Sequence, residues 1–287
     1  MSKIIVTHMN PDLDAMTSVW LLKRFGGTEW EEAEAKFIPA GQTYKGEKVD
    51  SNPEVVHVDV GLGKFDHHHS SDEALCAAKL VFDWLVTQSK QFRQNQALVR
   101  LVEMVRQFDW AHHLGAKDAD SDLYSFVFFE HGIIAGWQAK WRNKSDLHFT
   151  FGLTALDGVY ENLKAKVEAE AVVKKALKFK TVWGRGLAAS TATFGFPNFA
   201  QAKGYPIVVC KNPKSGHVRI HAFEFGKNRR KINLTGVWEI LKHKDPQATW
   251  FLHAGKKMLL NGSRANPDMI PTKLTLREVV EVLKKVD

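Results

Sequence analysis

The first sixty residues alternate between apolar runs and polar segments in the order of a strand, a turn and a helix. Residues 3–7 form an apolar run, residues 8–14 are mostly polar, and apolar positions at helical spacing begin near Ala15. A second strand is predicted at residues 36–40 and a third at residues 55–61. Strands that alternate with helices predict an open, mainly parallel α/β sheet flanked by helices. In such a sheet, binding sites lie at the carboxyl ends of the strands.

The rest of the chain continues this pattern and then becomes β-rich. Helical spacing predicts helices over residues 72–88 and 97–108, the first with Ser71 or Asp72 as its N-cap. Thr275 followed by Glu278 predicts a capping box at the last helix. The other predicted elements are a charged helix at 154–180, hairpin strands at 206–211 and 217–223 and at 249–254 and 257–260, and a helix at 274–286.

Composition indicates a globular protein. Of the 287 residues, 44% are hydrophobic and 25% are charged, which excludes a disordered chain. No run approaches the ~20 apolar residues of a spanning helix, and no apolar leader precedes Asp12. We therefore expect a cytoplasmic protein with no membrane partner. Cys76 and Cys210 lie in apolar runs and are expected to be buried free thiols.

Charge is divided unevenly along the chain. Residues 200–287 contain 17 Lys or Arg and 7 Asp or Glu, a net of +10, so residues 1–199 sum to −2 in a chain of +8. A basic last third predicts an anionic partner, and the alternative is an ordinary solvated basic face.

Polar residues at the ends of the predicted strands and helices have the composition of a metal site. Carboxylates and imidazoles together suit borderline divalent cations, and carboxylates gathered at one edge would repel one another without cations. Two ions about 3.5–4 Å apart, joined by a bridging carboxylate, lower the pKa of water and stabilise charge on phosphoryl oxygens. We expect two Mn²⁺ ions, with Mg²⁺ or Co²⁺ as alternatives. For the first segment, the alternative is a Pro-Asp turn in which Asp14 caps the helix. The residues concerned are His8, Asp12, Asp14, Asp59, Asp66, His67, His68 and Asp109.

The order of these motifs resembles the DHH phosphoesterase superfamily. This group includes RecJ-type exonucleases, small oligoribonucleases, cyclic-dinucleotide phosphodiesterases and family II inorganic pyrophosphatases. The resemblance covers about residues 1–115, and the last third is similar to the MYG-type nuclease branch. The motifs are His8-x-Asn10-Pro11-Asp12-x-Asp14-Ala15, Val58-Asp59-Val60-Gly61, Asp66-His67-His68 and Asp109 after a helix, with Phe251-Leu252-His253-Ala254-Gly255 and Asn261-Gly262-Ser263-Arg264 for the second resemblance.

The resemblance implies a role for each motif residue. Asp66 would orient an imidazole, and His68 would contact the scissile phosphate or protonate the leaving oxygen. The expected metal ligands are His8, Asp12 and Asp59 for one ion and Asp14, Asp59, His67 and Asp109 for the other, with Asp59 as the bridge. The expected substrate contacts are His253, Gly262, Ser263 and Arg264, for which a hairpin turn is the alternative.

The element pattern and the resemblance together predict three parts. Residues 1–153 would be a DHH metal-binding catalytic domain, 154–190 a connecting helix and linker, and 191–287 a smaller, basic α/β substrate-binding domain. The two domains would form a cleft, with the metal ions on one wall. The second wall would carry basic residues such as Arg219, Arg229, Arg230, Lys231 and Arg264.

Residues 111–150 have no assigned role. His112 and His113 are of a ligand-like type. Asp118, Asp120 and Asp122 alternate but lack the Gly and the terminal Glu of a calcium loop, so we expect an exposed loop there.

The expected function is a metal-dependent phosphodiesterase, a hydrolase that cleaves single-stranded nucleic acid or short oligonucleotides from an end. A net charge spread over many residues favours an extended substrate over a compact one. One alternative is a phosphoesterase for a small substrate, such as a cyclic dinucleotide, a nucleotide or inorganic pyrophosphate. Another is a catalytically silent nucleic-acid-binding protein. The choice between DNA and RNA, and between a monomer and a homodimer, is left open.

Overall fold

The computed structural model describes residues 3–116, 119, 130–140, 145–226, 231–263 and 266–286. The contacts divide the chain into two compact units, Met1–Leu163 (unit 1) and Lys164–Asp287 (unit 2). The assignment of catalytic, linking and substrate-binding parts remains a prediction. Of the residues singled out above, Arg264, Arg229, Arg230, Asp118, Asp120 and Asp122 lie outside the described residues.

Unit 1 is built on a parallel sheet with the strand order β2-β1-β3 in its described part. Strand β1 (Ile4–His8) pairs on one side with β2 (Glu34–Ile38) and on the other with β3 (Val55–His57). The strands are parallel, so their carboxyl ends open at one edge. The helices of this part are α1 (Leu13–Phe25), α2 (Thr28–Glu31), α3 (Ala77–Gln88), α4 (Gln91–Gln94), α5 (Gln96–Asp109), α6 (Glu130–Lys140) and α7 (Ser145–Lys175), which extends into unit 2.

The core of unit 1 surrounds α1, whose residues Leu13–Leu22 are all buried. Trp20 on α1 is 1% exposed, and its indole N–H donates to Oδ1 of Asp157 on α7 at 2.8 Å. Burial of one such apolar side chain contributes roughly 1.5–3 kcal/mol, so the packing fixes α1 against the sheet. The start of α1, which follows the first polar motif, is therefore held firmly in place.

Three predicted helix boundaries are wrong, and the first of them is the start of α7, which lies at Ser145 and not at residue 154. Helix α3 begins at Ala77 with Cys76 as N-cap, and not at residue 72, because its first N–H groups bind a distant carboxylate. Helix α7 ends at Lys175, and not near residue 180, because strand β4 begins at Leu177.

Unit 2 contains a mixed sheet with the order β4-β5-β6-β7-β9-β8 among its described residues. Strands β5 and β6 are parallel, and the other neighbours are antiparallel. This architecture confirms the predicted second α/β part, and the capping box at Thr275 and Glu278 is also present. The elements are β4 (Leu177–Thr181), β5 (Gly184–Ser190), α8 (Phe196–Ala202), β6 (Ile207–Lys211), β7 (Val218–Ala222), α9 (Thr235–Lys244), β8 (Phe251–Leu252), β9 (Met258–Leu260) and α10 (Leu276–Lys285).

Helices cover both faces of this second sheet. One face packs on α9 and α10 through residues such as Val237 and Val279. The other packs on α8 and the end of α7 through residues such as Phe196 and Ala169. Both cysteines are buried free thiols, as predicted. Among the helices described, none combines the length and apolar character needed to cross a membrane.

Candidate metal centre

The predicted ligands lie at the carboxyl edge of the unit 1 sheet. His8 is the last residue of β1, and Asp59 follows the end of the parallel strand β3. Nε2 of His8 lies 3.3 Å from Oδ2 of Asp59 and 4.0 Å from Oδ1 of Asp12. These three side chains form a first cluster of atoms that can bind a metal ion.

His67 connects Asp59 to a second cluster. Nδ1 of His67 lies 3.6 Å from Oδ1 of Asp59 and 3.8 Å from Oδ2 of Asp14. Nε2 of the same ring lies 3.2 Å from Oδ2 of Asp109, the last residue of α5. Asp14, His67 and Asp109 form this second cluster. The structure therefore brings together all six of the predicted metal ligands.

Asp14 also links α1 to α3. Its Oδ2 accepts the backbone N–H of Ala77 at 2.7 Å, and its Oδ1 accepts that of Ala78 at 2.8 Å. Both donors lie in the first turn of α3, where backbone N–H groups have no partner inside the helix. Asp12 caps α1, since its Oδ1 accepts the N–H of Ala15 at 3.0 Å. The alternative in which Asp14 caps its own helix is therefore wrong.

A tightly wound loop from Asp59 to His68 carries the third motif. The N–H of Asp59 donates to the carbonyl of Phe65 at 2.9 Å. The carboxylate of Asp66 accepts the N–H of Leu62 at 2.7 Å and that of His68 at 3.0 Å. Asp59 and Leu62 have φ angles of 56° and 58°, a strained region for residues with a side chain. The loop hydrogen bonds hold this strained backbone and fix the position of the Asp59 carboxylate.

His68 belongs, with Asp59, Asp66 and His67, to a third group of atoms that can bind a metal ion, and it is oriented by Asp66. Its side chain is 57% exposed, and its ring stacks on that of His67 at 4.6 Å between centroids. Nδ1 of His68 lies 2.7 Å from Oδ1 of Asp66. A carboxylate only accepts hydrogen bonds, so Nδ1 carries the proton and Nε2 is the free ring nitrogen. Burial raises the pKa of Asp66, but the N–H groups of His68 and Leu62 outweigh burial and lower it, so Asp66 stays ionised.

The hydrogen bonding of two buried atoms shows whether metal ions fit these clusters. Oδ1 of Asp59 and Nδ1 of His67 are buried and form no hydrogen bond with any described residue. A buried polar atom without a partner costs about 1–3 kcal/mol, and a cation between the two atoms would supply the missing interaction. The donors are imidazole nitrogens and carboxylate oxygens, a set suited to Mn²⁺ or a similar divalent ion. The residues therefore fit a pair of such ions.

The pKa values show how strongly this edge attracts positive charge. Burial raises the pKa of Asp14 well above its ordinary value, and the charges of Asp59 and Asp109 raise it further. Burial likewise raises the pKa of Asp59. The contact with Asp109 raises the pKa of His67 to about 9 against the opposing effect of burial. For His8, burial lowers the pKa, but the hydrogen bonds to Asp59 and to a backbone carbonyl raise it to about 9. The carboxylates that would attract metal ions also attract protons, so protons and metal ions would compete for this site.

Two residues near the centre were missed by the sequence analysis. Nε2 of Gln138 on α6 donates to the carbonyls of Asn10 and Pro11 at 2.9 and 3.0 Å and so holds the turn before Asp12. The ring of His131, also on α6, stacks on that of Phe108 at 4.9 Å. The first contact joins residues 128 apart, for which local spacing gives no signal.

The ligand-like histidines after α5 have other neighbours. Nε2 of His112 pairs with Oε2 of Glu73 at 2.9 Å. The ring of His113 packs against those of Phe108 and His131 at 4.6 and 5.1 Å. Within the described ranges, neither His112 nor His113 belongs to a group that could bind a metal ion.

Of the predicted substrate contacts of unit 2, Arg264 lies outside the described residues, and the other three are not gathered in one place. His253 lies in the turn between β8 and β9, whereas Gly262 and Ser263 follow β9 at the opposite end of that hairpin. Gly262 has a φ of 119°, and a Cβ there would lie 2.6 Å from the ring of His217. The turn alternative therefore accounts for this glycine. Roles for these residues in substrate binding remain predictions.

The chain is similar to several solved structures. No protein-family model and no curated protein matches the chain. The chain is similar to the pGpG-specific phosphodiesterase PggH from Vibrio cholerae, with 14% identity, 91% of this chain and 92% of that chain covered, and a TM-score of 0.29. It is similar to the DHH domain of a protein described as a member of a family of ribosomal proteins, with 11% identity, 99% and 86% coverage and a TM-score of 0.33.

A third similar structure is RecJ from Thermus thermophilus in complex with Mg²⁺. The identity is 13% and the TM-score 0.30, with 99% of this chain and 49% of the RecJ chain covered. In its motifs and among solved structures, the chain is similar to DHH-domain proteins.

Proposed function

We propose that this protein is a two-metal-dependent phosphoesterase that hydrolyses phosphodiester bonds of single-stranded nucleic acid or short oligonucleotides from an end. The observation that carries the proposal is the shared position of Asp59. Its carboxylate oxygens lie 3.3 Å from Nε2 of His8 and 3.6 Å from Nδ1 of His67. A carboxylate of the first cluster that also lies beside a histidine of the second is placed to bridge a pair of divalent ions.

The two ions, when bound, would lower the pKa of water and stabilise charge on phosphoryl oxygens. We propose Mn²⁺, with Mg²⁺ or Co²⁺ as alternatives. Nδ1 of His8 lies 3.0 Å from the carbonyl of Met9, which accepts its proton and leaves the Nε2 lone pair for a metal ion. The proposed ligands are His8, Asp12 and Asp59 for the first ion and Asp14, Asp59, His67 and Asp109 for the second.

His68 is proposed to act on the substrate. Its Nδ1–H is held by Asp66, so Nε2 is the nitrogen left for the substrate; in the doubly protonated imidazolium, Nε2–H would donate to a phosphate oxygen or give its proton to the leaving oxygen. Its high exposure supports this role, because a group that meets the substrate has to be reachable. Asp66 would act as a positioning residue, since its carboxylate contacts the imidazole and the loop.

A nucleic-acid substrate is supported by charge. The net +10 of residues 200–287 is spread along the sequence and suits an extended polyanion. The cytoplasmic location also remains a prediction.

The function is tested by hydrolysis of bis-p-nitrophenyl phosphate with added Mn²⁺, with Asp59→Asn as the inactive control. We expect turnover by the natural protein that EDTA abolishes. Labelled single- and double-stranded DNA and RNA, dinucleotides and pyrophosphate are then compared, and we expect stepwise shortening of single strands. Turnover of pyrophosphate or a cyclic dinucleotide alone would refute the nucleic-acid substrate. Oligonucleotide binding without hydrolysis of any substrate would refute the enzyme.

A further inference from the structure

We propose that the outer edge of the unit 2 sheet, formed by β4 and β5, binds the phosphate backbone of single-stranded nucleic acid, with Tyr205 as a stacking platform for a base. Lys178, Lys180, Arg185 and Tyr205 line one recess of about 270 Å³ at this edge. We call these four residues the β4–β5 patch. The inference rests on the proposed function, because the bound strand is taken to be the substrate of the enzyme.

The strand register places the cations on one face of the sheet. Lys180 lies directly opposite Arg185, and Lys178 lies opposite Leu187. Paired residues on neighbouring strands share a face, and so do residues two apart on one strand. Leu187 belongs to the apolar cluster against which Tyr205 packs. All four residues of the patch are therefore on the face covered by α8 and the end of α7.

Among the described residues, these cations have no acidic partner. Like charges directly opposite each other destabilise a pair of strands, and Lys180 faces Arg185 in this way. No carboxylate of the described residues forms an ion pair with Lys178, Lys180 or Arg185. Residues 171–223 contain nine Lys or Arg and no Asp or Glu, so the surrounding sequence offers none either. The patch is therefore a concentration of positive charge that an anionic ligand could bind.

The aromatic ring and the spacing of the charges favour nucleic acid. The guanidinium carbon of Arg185 lies 5.2 Å from the ring centroid of Tyr205. An aromatic ring beside cations is how proteins hold single strands, with a base on the ring and phosphates on the cations. Lys178 and Lys180 are about 6.7 Å apart along the strand, a distance comparable to that between successive phosphates of an extended strand. A lipid surface would instead need an exposed apolar anchor on the same face, but Phe179 is buried and the exposed Leu177 lies on the opposite face of the strand.

The test compares Lys180→Gln/Arg185→Gln with the natural protein in the full chain. Binding of a fluorescein-labelled oligothymidylate is followed by fluorescence anisotropy in EDTA over a series of salt concentrations. Each lost phosphate contact lowers the slope of log K against log salt by about 0.7, so the loss of two should weaken binding about 25-fold at about 0.1 M salt. Tyr205→Leu should weaken binding at least about fivefold without a change of slope.

Matched controls distinguish a specific effect of the patch from the effects of overall charge and of folding. Lys242→Gln/Lys244→Gln removes the same charge from α9 and should change the dissociation constant less than about twofold at this ionic strength, where distant charges are screened. The patch variant removes a repulsive pair, so its Tm should be no lower than that of the natural protein.

Two results would overturn the proposal. One is equal weakening of oligothymidylate binding in the patch and α9 variants. The other is binding of phosphatidylserine vesicles, but not of oligothymidylate, that the patch variant loses. Hydrolysis of bis-p-nitrophenyl phosphate with Mn²⁺ by the natural protein is measured in parallel. Absence of hydrolysis by the natural protein would refute the phosphoesterase, while the EDTA binding data would still decide the role of the patch.

Discussion

Oδ1 of Asp14 accepts the backbone N–H of Ala78 at 2.8 Å and so joins two segments that are 64 residues apart. The same carboxylate lies 3.8 Å from Nδ1 of His67, at the edge of the second cluster. One buried side chain thus serves as a proposed metal ligand and as the cap of α3. Folding of unit 1 and the formation of the proposed metal centre would be coupled through this residue.

This double use predicts that Asp14→Ala destabilises the protein even without metal ions. The substitution leaves the N–H groups of Ala77 and Ala78 buried without their acceptors. We expect the free energy of unfolding in EDTA to fall by about 1–3 kcal/mol, measured by urea denaturation. Asp109→Ala is the control, because Asp109 contacts His67 at the edge of the centre. It should lose metal ions as well, but with a smaller loss of stability in EDTA. An equal loss would contradict the capping role.

Asp59→Asn should remove both metal ions while preserving the backbone. Asp59 has a φ of 56°, and asparagine is one of the few residues that adopt this conformation readily. The amide cannot bridge two cations as a carboxylate does. We expect less than one Mn²⁺ per chain by elemental analysis after desalting, compared with two for the natural protein, and no measurable hydrolysis. Retention of one ion and partial activity would show that Asp59 binds only one of the two.

His68→Ala should separate catalysis from metal binding. Because Nδ1 of His68 is held by Asp66, loss of the ring would remove the proposed substrate contact but no proposed metal ligand. We expect kcat to fall by about 10²- to 10⁴-fold with Mn²⁺ content nearly unchanged. His69→Ala, an adjacent exposed histidine, is the control and should alter kcat much less. Loss of metal ions comparable to that in Asp59→Asn would make His68 a ligand instead.

The raised pKa values predict the pH dependence of the metal-free protein. The pKa values of His8 and His67 are about 9, above the ordinary 6.5. The folded protein therefore holds protons that the unfolded chain releases between these values. This contribution to stability is complete below pH 6.5 and is lost as the pH rises through 9. The raised pKa values of Asp14 and Asp59 act with the same sign, starting from about pH 3.8. In EDTA, we expect the free energy of unfolding to decrease steadily from pH 6.5 to pH 9.5.

Mn²⁺ should reverse this trend, because the ions displace the same protons. Its affinity, measured by isothermal titration calorimetry, should increase with pH over that window, with release of protons to the buffer. A metal affinity independent of pH between 6.5 and 9 would show that His8 and His67 are not ligands.

The sequence pattern predicts those parts of the fold that depend on residues close together in the sequence. The strand before His8, the helix after Asp12 and the capping box at Thr275 follow from residues close in sequence. The start of α3 was missed because its cap, Asp14, comes from a distant segment. No periodicity in residues 72–88 records that contact.

The β4–β5 hairpin was missed for a related reason. Lys178 and Lys180 continue the charged pattern of α7, and Gly184 and Gly186 have the spacing of a loop. In the structure, Gly186 is a strand residue. It is a glycine because the ring of Phe179 occupies the place where a side chain would lie, 2.3 Å from an ideal Cβ. The glycine provides room for a cross-strand neighbour, which only the three-dimensional packing shows.

Gly262→Ala distinguishes a structural glycine from a substrate contact. The position has a φ of 119°, and the new methyl group would lie 2.6 Å from the ring of His217. Backbone strain and overpacking together should lower the free energy of unfolding by roughly 2–4 kcal/mol, measured by urea denaturation. Below the melting temperature, oligothymidylate binding should stay within about twofold of the natural protein, because the turn and not the substrate requires the glycine.

Gly255→Ala is the matched control, in the turn at the other end of the β8–β9 hairpin. Its new methyl group would meet Nδ1 of His253 at 3.4 Å, an ordinary contact, so stability should change by less than about 0.5 kcal/mol. If Gly262→Ala were as stable as this control and yet bound the oligonucleotide much more weakly, Gly262 would be a substrate contact, and the turn would not be the reason for its presence. Loss of stability without loss of binding would mean that other residues of unit 2 bind the oligonucleotide.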